Sequence, residues 1–149
     1  PGAIIEKEMI ALPLGKGKVI REGTQVAILN FGTLLPFGLD VAEQINATIV
    51  DMRFIKPIDE QLIIKLASDH QLLVTLEENS ISGGAGAAVS EFLAQQGIVM
   101  PVLHLGLPDR FIDHGAHAEQ LRDTGLDREG ILNSIDQRLN ILKLPKQAS

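Results

Sequence analysis

Short apolar runs alternate with amphipathic stretches along most of the chain. Four of these runs are rich in Leu and β-branched residues and nearly lack polar positions, which is typical of strands covered on both faces. These predicted strands are 26–29, 48–52, 72–76 and 102–105. Helical periodicity and terminal Pro, Asp and Gly signals predict helices between them. These predicted helices are 36–45, 59–69 with Asp59 as the cap, and 86–96.

Two more helices are predicted after the last strand, at 117–124 and at 127–142, where Asp127 is a candidate cap. Near the start, residues 15–21 predict a short edge strand, and the Glu22-Gly23 turn predicts a hairpin with the strand that follows. Alternating strands and helices favour parallel pairing through right-handed crossovers. The predicted fold class is therefore α/β, a three-layer α/β/α sandwich with about five strands.

The length of 149 residues favours a single domain. We expect residues 1–14 to be a linker from a preceding domain that lies on the fold, 15–142 to be the domain, and 143–149 to be a frayed tail. The first residues lack both an initiating Met and the order of a secretory signal. They lead us to expect a piece of a longer chain.

Composition excludes several classes of function. The formal net charge is −6 without a basic run, so we expect no nucleic-acid partner. The chain has no Cys, which excludes disulfides, thiolate metal sites and cysteine nucleophiles and fits a cytoplasmic location. The apolar run 72–76 is far shorter than the ~20 residues of a membrane helix, so no membrane span is predicted.

The richest local pattern is a strand end with two carboxylates, Glu77 and Glu78, followed by a glycine-rich loop at Gly83, Gly84 and Gly86. Free backbone N–H groups there are a candidate anion cradle. The glycine spacing does not match a dinucleotide-binding fingerprint, and we favour close packing of the loop against a neighbour, possibly another subunit. Glu77 and Glu78 point to opposite faces of a strand, so we expect a capped or salt-bridged Glu rather than a carboxylate pair.

Other polar residues have structural interpretations. Arg53 follows Asp51 on the same strand face, which favours an ion pair, with a clamp on a partner's carboxylate as the alternative. His114 and His117 are expected to be solvated loop histidines rather than metal ligands. We expect His104 to be satisfied within the core and His70 to contact a helix end. Serine-hydrolase and P-loop motifs are absent from the sequence.

Four ordered blocks of sequence resemble one known family. They are AILNFGT at 27–33, VDMRFIKPID at 50–59, VTLEEN at 74–79 with GGAG at 83–86, and LGLPDRFI at 105–112. Together they resemble the carboxyl-terminal, transketolase-type third domain of the 1-deoxy-D-xylulose-5-phosphate synthases. The resemblance covers about residues 15–142.

This resemblance implies a mixed five-stranded sheet whose first strand runs antiparallel to the others. It also implies a parent enzyme that joins pyruvate and glyceraldehyde 3-phosphate with release of carbon dioxide, for isoprenoid and thiamine synthesis. Thiamine diphosphate and magnesium are held by the family's other domains. We therefore expect no catalytic, cofactor-binding or metal-binding residue in this chain.

The partners that the resemblance implies are the preceding domains of the same chain and a second copy in a homodimer. The interface or loop candidates are Arg53, Glu78, Gly83, Gly84 and Gly86, together with the apolar residues Ile4, Ile5 and Met9.

Two alternatives stay open. One is the carboxyl-terminal domain of a 2-oxo-acid dehydrogenase E1 β subunit, although the GLPDRFI block favours the synthase. The other is a free-standing anion-binding or regulatory module on the same fold, which fold class does not exclude.

Overall fold

The computed structural model describes residues 11–109 and 115–143, which form five strands and five helices. The elements in chain order are β1 (Lys18–Arg21), β2 (Thr24–Phe31), α1 (Leu35–Gln44), β3 (Ala47–Asp51), α2 (Glu60–Asp69), β4 (Leu72–Ser80), α3 (Ala85–Gln95), β5 (Val102–Leu107), α4 (His117–Asp123) and α5 (Arg128–Ile141). The predicted strands and helices are confirmed within a few residues at each end.

The strands form one mixed sheet in the order β1-β3-β2-β4-β5. Strands β2 to β5 are parallel, and β1 runs antiparallel to β3. Alternate side chains of the central strands enter two separate cores. Ile28 and Ile49 pack under α1, α4 and α5, whereas Leu29 and Val50 pack under α2 and α3. The predicted three-layer sandwich and the antiparallel first strand are therefore confirmed.

The predicted hairpin between β1 and β2 is wrong, because β1 pairs with β3. The Glu22-Gly23 segment crosses the amino end of β3, where Gly23 N donates to Thr48 Oγ1 at 2.9 Å. A Cβ at Gly23 would lie 2.3 Å from the carbonyl carbon of Ala47. Gly23, which has no Cβ, therefore lets the segment between β1 and β2 pass close to the backbone of β3. This segment does not form a hairpin turn between β1 and β2.

Caps that the sequence predicts begin two of the helices. Asp59 accepts a hydrogen bond from Leu62 N at 3.3 Å, and Asp127 accepts one from Gly130 N at 2.9 Å. Each carboxylate satisfies an N–H group that has no partner within its helix. Most of the predicted linker and tail lies outside the described residues, so the domain boundaries stay predictions. Among the described residues, no helix has the length and apolar character to cross a membrane.

Candidate functional site

A crevice lies at the carboxyl edge of the sheet, between β2 and β4. The chain leaves these two strands in opposite directions, towards β3 and β5, and open α/β sheets bind ligands at such a switch point. A cavity of about 420 Å³ occupies this position and is called the crest cavity below. Its lining residues are Phe31, Gly32, Thr33, Ile55, Glu77, Glu78, Asn79 and Ala85.

Glu77 is buried at the side of this cavity and binds the amino end of α3. Its side chain is 3% exposed. Oε2 accepts a hydrogen bond from Ala85 N at 2.8 Å, and Oε1 accepts one from Gly86 N at 2.9 Å. A carboxylate at this position satisfies two N–H groups at the start of the helix and complements the positive end of the helix dipole. Glu77 is therefore a helix cap.

The glycines of the loop make room for this contact. A Cβ at Gly84 would lie 2.4 Å from Glu77 Oε2, and one at Gly86 would lie 2.4 Å from Thr75 Oγ1. Gly83 has φ +74°, a left-handed conformation that glycine adopts without strain. The N–H groups of Ala85 and Gly86, which were candidates for an anion cradle, donate to the carboxylate of Glu77.

Glu78 points to the opposite face and joins three elements. Its Oε2 accepts a hydrogen bond from Thr33 Oγ1, and its Oε1 contacts His117 Nε2, both at 2.5 Å. The pKa of Glu78 is lowered mainly by the Thr33 hydrogen bond, against the opposing effect of burial, and further by His117. Unlike Glu77, Glu78 is partly exposed and bound by side chains.

His117 is solvated, as predicted, with its side chain 65% exposed, but it does not lie in a loop. His117 is the first residue of α4, and this helix brings its ring to Glu78, 39 residues earlier in the chain. His114 lies outside the described residues, as do Ile4, Ile5 and Met9. Among residues 11–109 and 115–143, no group of three His, Cys, Asp or Glu side chains is arranged to hold a metal ion.

A second polar cluster lies beneath α3. His104 contacts Thr75 Oγ1 through Nδ1 at 2.7 Å and Ser90 Oγ through Nε2 at 2.9 Å. Burial lowers the pKa of His104, Glu77 raises it, and Arg138 lowers it further. The sequence pattern predicts that His104 is satisfied in the core but does not indicate its partners, because Thr75 and Ser90 lie on two other elements.

The remaining candidates have local partners. Arg53 Nε lies 3.4 Å from Asp51 Oδ2, so the ion pair expected from the sequence is present. His70 ends α2, where Nδ1 lies 2.9 Å from Leu66 O and Nε2 lies 2.7 Å from Thr48 Oγ1. The two contacts of His70 join the end of α2 to β3.

The residues of the crest cavity do not fit the diphosphate of a thiamine cofactor. At the crest cavity, the N–H groups of Ala85 and Gly86 are bound to Glu77, and Glu78 adds a second carboxylate nearby. A diphosphate placed there would meet negative charge and bound donors.

The fold is an open α/β sandwich whose sheet is parallel except for one antiparallel edge strand. The carboxylates of Glu77 and Glu78, at the carboxyl edge of the sheet, form hydrogen bonds with other residues of the same domain. The sequence model of the family described as "Transketolase, C-terminal domain" matches residues 15–131. The chain therefore belongs to the transketolase C-terminal domain family.

Curated relatives refine this assignment. The chain is 58% identical over 144 residues to a 1-deoxy-D-xylulose-5-phosphate synthase of Hahella chejuensis, covering 97% of this chain and 22% of the relative. It is 54% identical over 147 residues to the synthase of Cellvibrio japonicus, covering 99% of this chain and 23% of the relative. The chain thus spans less than a quarter of either relative, and the resemblance seen in the sequence is confirmed.

A solved structure supports the same fold. It is described as a split gene transketolase, inactive beta4 tetramer, and superposes with a TM-score of 0.80 at 32% sequence identity. The match covers 88% of this chain and 44% of the other.

Proposed function

We propose that this chain forms the carboxyl-terminal domain of a 1-deoxy-D-xylulose-5-phosphate synthase. The observation that carries the proposal is the 58% identity to such a synthase across 97% of the chain. At this level of identity over a whole domain, the buried positions of both cores are expected to be shared. The E1 β subunit alternative has no comparable support.

In this proposal the parent enzyme is a thiamine-diphosphate-dependent transferase that joins pyruvate to glyceraldehyde 3-phosphate and releases carbon dioxide. The preceding domains hold thiamine diphosphate and magnesium, and this domain contributes structure. The hydrogen bonds of Glu77 with α3 support this assignment of roles. They occupy N–H groups at the amino end of α3, where an anionic ligand would otherwise bind. We also propose a cytoplasmic location, which rests on the synthase assignment and on the absence of Cys.

The proposed partners are the preceding domains and a second copy of the chain. A shallow cavity of about 190 Å³ beside the glycine loop offers a smooth surface for the second copy, with small residues at Gly83, Ala87 and Ala88. Ile55 borders it and is 45% exposed. The self-association of the split gene transketolase, as its description states, supports a surface of this kind.

This surface is tested by paired substitutions of exposed isoleucines. Ile55→Asp places a charge beside the glycine loop, whereas Ile64→Asp places one on α2, where Ile64 is 36% exposed. Sedimentation velocity should show a dimer for the unmodified chain and for Ile64→Asp, and a monomer for Ile55→Asp. The same oligomeric state in the two variants would show that the glycine loop is not part of the interface.

The proposed function itself is tested with a chimera. The matching segment of the Hahella chejuensis synthase is replaced by this chain, and product formation from pyruvate and glyceraldehyde 3-phosphate is measured. We expect the chimera to retain activity, while the same enzyme carrying the matching domain of the split gene transketolase serves as the control. A folded chimera without activity would contradict the proposal.

A further inference from the structure

The shallow cavity beside the glycine loop, called the loop cavity below, has one charge of each sign at its border. Lys56 lies on the turn between β3 and α2, and Glu91 lies on α3. Both residues are exposed. Neither forms a hydrogen bond or an ion pair with another residue of 11–109 or 115–143. The loop cavity therefore presents a cation and an anion to solvent.

The backbone that carries each of these charges is held by the domain. On the turn that precedes α2, Asp59 is 6% exposed and accepts hydrogen bonds from Leu62 N at 3.3 Å and Gly17 N at 3.1 Å. On α3, Val89 and Phe92 are buried in the core beneath the helix. Both charges are therefore carried by backbone that is ordered before any partner binds, which reduces the entropy lost on association.

The rest of the border is apolar or small. Ile55 is 45% exposed, and Ala87 and Ala88 lie one helical turn before Glu91 on the same face of α3. Side chains of this size let a neighbouring backbone approach closely. Apolar contacts with charged residues at the rim are the usual composition of a protein interface. The surface of the loop cavity therefore fits another protein.

The two charges make this surface complementary to a copy of itself. In a twofold dimer every contact occurs twice, because residue i of one copy meets residue j of the other and the reverse. An axis through the loop cavity allows Lys56 of each copy to approach Glu91 of the other. A partner of a single sign of charge would instead leave one of these two residues without a counter-charge. The charge pattern therefore favours a second copy.

We propose that Lys56 and Glu91 form two reciprocal ion pairs across a twofold dimer of this chain, at the surface of the loop cavity. This inference rests on the homodimer of the proposed function and names the charges that orient it. Ion pairs at the rim of an interface contribute more to orientation and choice of partner than to affinity. The pairs therefore select the arrangement in which the two loop cavities face each other.

Charge reversal in the 149-residue chain tests the pairs by sedimentation over a series of concentrations. Lys56→Glu and Glu91→Lys each turn two attractive contacts into two repulsive ones, so each should raise the dimer Kd roughly tenfold. The double variant restores opposite charges at both contacts and should recover the Kd of the unmodified chain. An equimolar mixture of the two single variants should recover dimers in the same way, because opposite charges then meet between unlike copies.

Reversals on other elements provide matched controls. Lys65→Glu on α2 and Glu43→Lys on α1 change the net charge by the same amounts at exposed positions outside the loop cavity. Each should change the Kd less than about twofold. General repulsion between copies of net charge −6 would give effects of opposite sign, since one kind of reversal adds negative charge and the other removes it. Reciprocal ion pairs instead predict weaker dimers for both Lys56→Glu and Glu91→Lys.

Circular dichroism shows whether each variant is folded. The proposal is overturned if the unmodified chain is monomeric throughout the series, or if the two single reversals dimerise as their controls do. It is also overturned if neither the double variant nor the mixture recovers the dimer. Product formation by the chimera described above tests the synthase assignment independently of these outcomes.

Discussion

Glu77 and Glu78 are neighbours on one strand, yet their carboxylates have opposite surroundings. Glu77 is buried and bound by two backbone N–H groups of α3, an 11-residue helix. Glu78 is partly exposed and is bound by the side chains of Thr33 and His117. His117 is the first residue of α4, a helix of seven residues. Successive side chains of a β-strand point to opposite faces of the sheet, which separates the two environments. Glu77 therefore caps α3, whereas Glu78 binds side chains at the carboxyl edge of the sheet.

The largest effect is expected from Glu77→Ala. This change leaves two buried N–H groups of α3 without a partner and should lower the free energy of unfolding by about 3 kcal/mol or more. Urea unfolding measures the loss. Gln95→Ala, on the exposed surface of the same helix, should stay within about 0.5 kcal/mol of the unmodified chain. Comparable losses in the two variants would show that the Glu77 cap is unimportant.

Gly86→Ala is expected to be the next most damaging change. The added Cβ would lie 2.4 Å from Thr75 Oγ1 and 2.5 Å from His104 Nδ1, so α3 must shift away from the sheet. We expect a loss of about 2 kcal/mol in unfolding free energy. The matched control is Gly115→Ala, where the nearest atom would be 3.6 Å away and little change is expected. If Gly86→Ala is as stable as this control, the close approach is not required.

His104 should make the fold less stable in acid. Burial lowers the pKa of His104 in the folded chain, whereas the unfolded chain binds the proton near the ordinary value of 6.5. Stability should therefore fall as the pH drops below 6.5 and level off below the lowered pKa. Urea unfolding at several pH values measures this slope, and His104→Gln should flatten it. An unchanged slope in that variant would assign the acid sensitivity to other groups.

The smallest effect concerns Glu78. Thr33→Ala removes the main cause of its lowered pKa, so the pKa of Glu78 should rise towards the ordinary value of 4.5 in an NMR titration. Thr33→Ser keeps the hydroxyl and should keep the pKa low. The stability that Glu78 contributes is present above pH 4.5 and lost as the pH falls through the lowered pKa, so Thr33→Ala should also weaken this acid dependence. Identical titrations of the two variants would rule out the hydroxyl as the cause.

Much of the fold was predictable because its information is local. The run 72–76 is apolar on both faces, and the structure buries it between two layers of helices. Asp59 and Asp127 were recognisable as caps since the N–H groups that they bind lie three residues ahead. The partner of β1 was not predictable from its turn, because strand order depends on β3, which is far along the chain.

The site was predictable only in part. Strand alternation separates Glu77 from Glu78, and the glycine loop marks the start of a helix. The contacts of Glu78 with His117 and of His104 with Ser90 join elements whose relative positions are set by packing of the whole domain. No spacing rule within one element indicates such pairs. The residues that bind Glu77 and Glu78 could therefore be identified only from the structure.

We propose that the domain supports a synthase whose cofactor is bound elsewhere in the enzyme. Calorimetric titration of the 149-residue chain with thiamine diphosphate and magnesium tests it most directly, with the complete Hahella chejuensis synthase as the positive control. We predict saturable binding by the complete enzyme and no binding heat from this chain. Saturable binding by the chain, with a Kd on the order of micromolar, would contradict the account.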